Sequence, residues 1–411
     1  MEKHMTDQHK RRRRRRVHRR HPKKDHRKLR NGLLITLGCL VACYLVFVFS
    51  PIPIVAKWRE IYIETAMTTN SHKWLATMFI PHSIIDEVMS QRQAQEADQK
   101  KLESTWDDNA EPVQTPEVKQ EDTEKKEFFD KYWELDSDSF KEYLSANSYL
   151  LADGYDDLDI DNLDHSAKIL TTEGDEILAV DAANNTILIG VKGDGYVGKL
   201  AIVKDTDQVS VKTSRHIGSY GETAGVYARR YDAEVVINAS AFRDVGGHGS
   251  GGTIRGACVL DGNETGTPEN RFWKFAGIKN DGRMYISNYY TTDISDYRWG
   301  LEFYPALIVD GKNVVDGTFG MGIQPRTAIG QSESGDFMML IIDGRQVGYS
   351  LGCTVSDCEG ILARYHAYQA TNLDGGSSAI MCYKGKQITK PSSVSSLGRF
   401  LPNALVVEKK R

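Results

Sequence analysis

The sequence is poor in cysteine: six in 411 residues, two of which, Cys39 and Cys43, fall inside its one long apolar run. The other four, Cys258, Cys353, Cys358 and Cys382, are too few for a disulfide scaffold of the small secreted type. Cys353 and Cys358 are near enough in sequence to pair, but buried free thiols are the expected state. No histidine accompanies them at zinc-ligand spacing, so no structural zinc site is expected. Also missing are an internal repeat of fixed period, a Gly-Lys-Ser/Thr ending to any Gly-rich loop, and a Gly-x-Ser-x-Gly elbow. The last two absences exclude a P-loop and a Ser-His-Asp hydrolase of the elbow type.

Acidic residues are scarce at the N-terminus. The first 30 residues hold 15 Lys/Arg against Glu2, Asp7 and Asp25, a balance of +12, which leaves -16 for the rest of a chain whose net charge is -4. The run Arg11–Arg16 alone would suit a nucleic acid or a nuclear address. The apolar stretch behind it decides otherwise, because no charged residue occurs from Leu33 to Ala56. A helix of roughly 20 apolar residues spans the hydrocarbon layer, and the flanking cations hold the N-terminus inside. The expected topology is a basic cytoplasmic tail (1–32), one membrane span (33–56) and an extracellular C-terminal region, with the tail resting on anionic headgroups rather than on nucleic acid. A cleaved signal peptide is disfavoured: the apolar core is too long, and Ser50-Pro51-Ile52-Pro53 is a poor cleavage site.

Residues 57–126 are expected as a stalk and polar linker. Apolar residues between Trp58 and Met89 suggest two helices broken at Pro81, and Gln91–Lys126 has too little apolar surface to offset its ordering entropy. Residues 127–179 form a helical lead-in, with Phe128, Phe129, Tyr132, Trp133, Phe140, Tyr143 and Leu144 at helical spacing. Its acidic stretch, Asp157-x-Asp159-x-Asp161, starts like a calcium loop, but Asn162 and Lys168 stand where that loop needs Gly and Glu, so a solvated loop is expected. Beyond residue 180 short β-type runs dominate: Thr186–Lys192, Tyr196–Lys204, Glu234–Ala239, Phe303–Val309, Thr327–Gly330, Phe337–Ile342, Ala379–Tyr383 and Ala404–Val407. Asp-Gly turns punctuate them, and two helices interrupt, Glu222–Ala233 and one opened by a Ser356/Glu359 capping box. The fold class is α+β: a mixed, largely antiparallel sheet with flanking helices, behind an N-terminal transmembrane helix.

Three polar clusters sit at strand ends. Asn238-Ala239-Ser240-Ala241-Phe242 precedes a Gly-rich loop, Gly246–Gly252, whose backbone N–H groups suit close approach to a ligand. His248 in that loop has no assigned role. Gln324-Pro325-Arg326 opens a second strand. Asn372-Leu373-Asp374-Gly375-Gly376-Ser377-Ser378 puts a carboxylate, two glycines and two hydroxyls at one turn.

The order Arg326-Thr-Ala-Ile-Gly330, Asp343-Gly344 after an apolar strand, Asn372–Ser378, then Arg399-x-x-Pro402-Asn403-Ala404 resembles the phosphodiester glycosidase family. The family includes the lysosomal enzyme that uncovers mannose 6-phosphate by removing N-acetylglucosamine, and bacterial proteins linked to exopolysaccharide. The resemblance runs over roughly Val180–Val407, giving a phosphodiester glycosidase-like domain at 180–411. One departure is that the family often carries Asn-Gly-Gly-Phe where this chain has Asn238–Phe242. Side chains in place of glycine there narrow the pocket or change its substrate.

The resemblance implies hydrolysis of a sugar 1-phosphodiester of the N-acetylglucosamine type in a surface or cell-wall polysaccharide. Asp374, Asp343 and Arg326 are the catalytic candidates. Phosphate leaves readily as an anion, so a cation and N–H donors matter most, and the Arg326 fork suits phosphate oxygens. Asp374, with Asp343 second, would stabilise an oxocarbenium-like centre or activate water. Substrate-binding candidates are Asn238, Asn372, Gly375, Gly376, Ser377, Ser378, Arg399 and Asn403. No cofactor is expected, with a divalent cation left open. The alternative reading is a non-catalytic carbohydrate- or phosphate-binding component of exopolysaccharide biosynthesis.

Overall fold

Three antiparallel sheets organise the C-terminal part of the chain. The computed structural model describes residues 26–69, 72–106, 123–245, 249–269, 272–315 and 317–410. The Arg11–Arg16 run, residues 107–122 of the expected linker, and Gly246, Gly247 and His248 lie outside the described residues. The chain divides into two units, Met1–Ala56 and Lys57–Arg411.

In the first unit, helix α1 (His26–Phe49) includes a stretch, Arg30–Phe49, of 20 residues with mean hydropathy 2.5. At 1.5 Å per residue that is about 30 Å, long and apolar enough to cross a membrane. Leu33, Ile35 and Leu40 are each about two-thirds exposed.

The second unit carries the sheets. Nine strands form the largest, in the spatial order 159–161, 176–181, 186–193, 196–203, 337–342, 326–332, 367–373, 306–309 and 312–313. A second sheet holds Met284–Ser287, Lys274–Lys279, Tyr297–Phe303, Ile254–Leu260 and Ala241–Phe242, with Asn263–Thr267 paired to Ile254–Leu260. The third holds Lys386–Gln387, Met381–Tyr383, Val235–Asn238, Asn403–Val407 and Val209–Thr213. The fold is therefore α+β, and the strands Phe337–Ile342, Arg326–Ser332 and Ala367–Leu373 are buried almost throughout. Runs such as Phe337-Met-Met-Leu-Ile-Ile342 lack polar alternation because both faces of the sheet are covered.

The remaining helices are α2 (Pro53–Thr68), α3 (Trp74–Thr77), α4 (His82–Gln99), α5 (Thr123–Lys131), α6 (Ser137–Ala146), α7 (Ala224–Tyr231) and α8 (Val355–Arg364). In the lead-in, Phe128 stacks on Phe140 at 5.7 Å and packs on Tyr132 at 4.9 Å, which fixes α5 against α6.

Three details differ from the sequence reading. The run Phe303–Val309 is two strands in two different sheets, separated at Tyr304-Pro305, where Pro has no N–H to give a ladder. The cap of α8 lies two residues earlier than Ser356/Glu359: Thr354 Oγ1 accepts from Asp357 N at 3.1 Å, and the Asp357 carboxylate accepts from Thr354 N at 2.8 Å. Glu359 is instead spent on the N–H groups of Val314 and Val315. Finally, residues 57–69 and 72–106 run along the domain rather than standing off it as stalk and linker. The Gln99 amide both donates to Ala306 O and accepts from Ala306 N, at 3.2 and 2.9 Å. Trp106 Nε1 donates to Met284 O at 2.8 Å. A polar segment can stay ordered when its side chains complete a neighbour's backbone hydrogen bonds, which composition alone does not reveal.

Candidate functional site

Asp343, Arg326 and Asp374 come from one end of three adjacent strands. Arg326 pairs with Ile342, the residue before Asp343, and Thr327 pairs with Leu373, the residue before Asp374. Glycine is required where the chain turns after Asp374. A Cβ on Gly375 would lie 2.6 Å from Pro325 O, and Gly376 has φ +59° while its N–H donates to the same carbonyl at 2.8 Å. The turn therefore lies flat on the start of the Arg326 strand, with Asp374 at its head.

Around the turn opens a cleft of about 310 Å³ whose lining includes Arg255, Arg326, Arg345 and Arg399 against Asp244 and Asp374. This positive excess favours an anion. Burial pushes the Asp374 carboxyl up to about 7; the Ser378 hydroxyl and Arg399 oppose the rise, and the Asp244 carboxylate adds to it. Asp374 is thus poised to exchange a proton near neutrality.

Arg399 is held in place. Its Nη1 donates to Asp244 Oδ2 at 2.6 Å and to Ser377 Oγ at 3.3 Å, its Nη2 donates to Gly249 O at 3.1 Å, and its guanidinium lies 4.7 Å from the centre of the Phe242 ring. Arg345 donates from Nε and Nη2 to Gln324 Oε1 at 3.1 and 2.5 Å, and Gln324 Nε2 in turn donates to Thr65 O of α2 at 3.2 Å. Arg255 pairs with Glu269 at 2.6 Å and lies over Trp273.

The sequence-derived candidates separate into two groups. Arg326, Asn372, Asp374, Gly375, Gly376, Ser377, Ser378 and Arg399 all line the cleft. Arg326 is deeply buried and donates to the carbonyls of Cys353, Met321 and Gly322 at 3.1, 3.2 and 2.6 Å from Nε and Nη2. Much of its fork therefore shapes the cleft wall. Asn372 donates from Nδ2 to Tyr304 O at 2.8 Å, while its buried Oδ1 has no partner among the described residues. A buried amide oxygen left open on a cleft wall is suited to a ligand hydroxyl.

Asp343, Asn238 and Asn403 stand outside the lining. Asp343 accepts from Tyr349 Oη and Lys390 N at 2.9 and 2.8 Å, and burial pushes its carboxyl up to about 6 against those bonds. Asn238 bonds to the backbone of Asp374 and Ile380 and to Thr327 Oγ1. Asn403 accepts from Ser240 N at 2.9 Å and donates to Ser240 Oγ at 2.9 Å and to Cys258 Sγ at 3.4 Å, so it braces the Asn238–Phe242 segment. In that segment Ala241 and Phe242 do reach the cleft.

Sequence reasoning missed Asp244, Arg255 and Arg345, together with the wall given by Thr68, Thr69 and His72. Arg345 follows the Asp343-Gly344 turn directly, and a cation beside a strand-end turn was the one available signal. Cys353 and Cys358 are free thiols with Sγ atoms 3.4 Å apart.

Residues 231–408 match the phosphodiester glycosidase family model. That is a family of hydrolases, and the matched segment is less than half of the chain. It contains the cleft residues from Ala241 to Arg399, whereas Thr68, Thr69 and His72 lie outside it. No curated protein sequence matches the chain. Among solved structures, the zebrafish N-acetylglucosamine-1-phosphodiester alpha-N-acetylglucosaminidase catalytic domain, auto-inhibited by its pro-peptide, is 19% identical with a TM-score of 0.44, over 55% of this chain and 83% of that one. A hypothetical protein from Synechocystis is 13% identical with a TM-score of 0.42, over 58% of this chain and 65% of that one.

Proposed function

We propose that the chain hydrolyses a sugar 1-phosphodiester of the N-acetylglucosamine type, in a surface or cell-wall polysaccharide, with Asp374 as the base and the cleft arginines holding the phosphate. The observation that carries this reading is a carboxyl pushed up to about 7 at the head of a Gly-Gly turn in a cleft that four arginines help to line. The family match over residues 231–408 supports the reaction class. Ionised Asp374 takes a proton from water, whose oxygen bonds to sugar C1. The C1–O electron pair leaves with the phosphate, giving a free sugar and a phosphomonoester. Arg399 and Arg345 carry the charge that grows on the departing phosphate, and Asn372 Oδ1 accepts from a sugar hydroxyl. Asn238, Asn403 and Asp343 position the site rather than touch substrate, and no metal or cofactor is assigned a step.

Helix α1 fits an uncleaved anchor that holds the N-terminus in the cytoplasm and the C-terminal unit outside, where such polymers are built. The test is turnover of an N-acetylglucosamine 1-phosphodiester by the purified full-length protein beside its Asp374→Asn and Arg399→Ala variants. Loss of turnover in both supports the reading. Absence of turnover in the parent protein, with sugar phosphates still bound, moves it to a binding component.

A further inference from the structure

Next to the cationic cleft lies a second cavity of about 420 Å³, within the size range of small-molecule sites. Its walls include Trp58, Ile61, Leu75 and Leu351, and the Tyr62 hydroxyl is spent on Leu75 O at 2.7 Å, so that ring too presents its apolar body. Trp58 and Leu351 remain 56% and 50% exposed. Large apolar side chains lining an open cavity are costly to leave in water. The two cavities are continuous in their lining: Thr69, His72, Gln324 and Arg345 border both. Trp58, Ile61 and Leu75 fall outside the segment matched by the phosphodiester glycosidase family, so this cavity is built largely from residues beyond the shared domain. In the chain, Trp58 follows the end of the apolar helix α1 by nine positions.

A polar cleft with an arginine on the border of an apolar cavity describes the receptor of an amphiphile: phosphate at the arginines, hydrocarbon beyond them. We propose that the apolar cavity takes the hydrocarbon tail of the substrate's leaving group, so that the sugar 1-phosphodiester is one carried by a membrane lipid, in place of the polymer linkage named with the hydrolase reading. This rests on the hydrolase reading for the reaction, although the tail site itself can be tested by binding alone. Water adds its oxygen to sugar C1, the C1–O pair leaves with the phosphate, one water proton stays on the new sugar hydroxyl and the other passes to Asp374 and then to solvent. The products are a free sugar and a lipid phosphate monoester. Arg345, on the border, holds the phosphate between its two substituents.

The test uses the full-length protein in lipid nanodiscs, with empty nanodiscs as the blank. Farnesyl phosphate, dodecyl phosphate and methyl phosphate are titrated calorimetrically against the parent protein and against Trp58→Ala and Leu351→Asp, both at half-exposed positions that tolerate change. The long-chain phosphates are expected to bind at least tenfold more tightly than methyl phosphate, with the ratio falling towards one in both variants. A preference for farnesyl over dodecyl assigns an isoprenoid tail, and parity assigns any long hydrocarbon chain. Equal binding of all three, or a long-chain advantage that survives both substitutions and so reflects partition into the bilayer, overturns the proposal. Turnover of the farnesyl and methyl N-acetylglucosamine 1-phosphodiesters separates the two readings. Equal turnover of both sinks the tail site and leaves the hydrolase. No turnover of either, with farnesyl phosphate still bound through Trp58 and Leu351, sinks the hydrolase and leaves the tail site.

Discussion

The side-chain amide of Asn238 donates to the backbone carbonyl of Asp374 at 2.5 Å, joining residues 136 positions apart. Its Oδ1 accepts from Thr327 Oγ1 at 2.9 Å and from Ile380 N at 3.3 Å, so one side chain ties the third sheet to the turn that carries the candidate base. Substitution to Leu removes all three bonds and lets the turn drift. Small misplacements of a reacting group cost up to about 100-fold in rate. Asn238→Leu is expected to lower kcat by about ten- to a hundredfold with KM little changed; a change confined to KM would instead make Asn238 a substrate contact.

Asp374 must be ionised to accept a proton, and its carboxyl is pushed up to about 7. Activity should therefore rise with pH through about 7 and level off above it. Asp374→Asn should lose about 10²–10⁴-fold in kcat together with that limb. Asp244→Asn removes a like charge that raises the Asp374 carboxyl and releases Arg399 towards it, so the limb should move to lower pH. A pH–rate profile of the three proteins decides this, and an unmoved limb in Asp244→Asn would sink the electrostatic account.

Glu234 is buried, and burial with the nearby Asp181 pushes its carboxyl up to about 7 despite Lys384. Its folded value lies above its unfolded one, so its contribution is full below about 4.5 and is lost as pH rises through about 7. Glu234→Gln removes that loss. Thermal unfolding should show the variant more stable than the parent at pH 8, by up to about 3 kcal/mol, with the gap closing near pH 4.

Residues 72–106 belong to the folded domain through bonds such as the paired contacts of Gln99 with Ala306. Gln99→Ala leaves that buried N–H and C=O open, at about 1–3 kcal/mol. A drop in Tm of several degrees is expected. An unchanged Tm would return this stretch to the status of a free linker.

The strands that build the floor of the site were legible because their runs are short, apolar and bounded by turn residues, as in Phe337–Ile342 before Asp343-Gly344. Asp374 stood out because a carboxylate, two glycines and two hydroxyls share one turn. Arg345 and Asp244 were not legible, since their roles come from Gln324 and Arg399, which approach from other elements. Asn403 looked like a ligand residue because its motif says nothing of direction, and only the fold shows its amide turned onto Ser240. The second sheet was missed because Ile254–Leu260 carries Arg255 and Gly256, and Lys274–Lys279 carries Gly277 between two terminal lysines, which blurs a period of two.

The central claim, that the chain breaks the bond between sugar C1 and the phosphate oxygen, is tested most directly by turnover of an N-acetylglucosamine 1-phosphodiester in ¹⁸O-labelled water. The account predicts one label in the C1 hydroxyl of the released sugar, none in the phosphomonoester, and no labelled product from Asp374→Asn. Label in the phosphate, or turnover unaffected by that substitution, would contradict it.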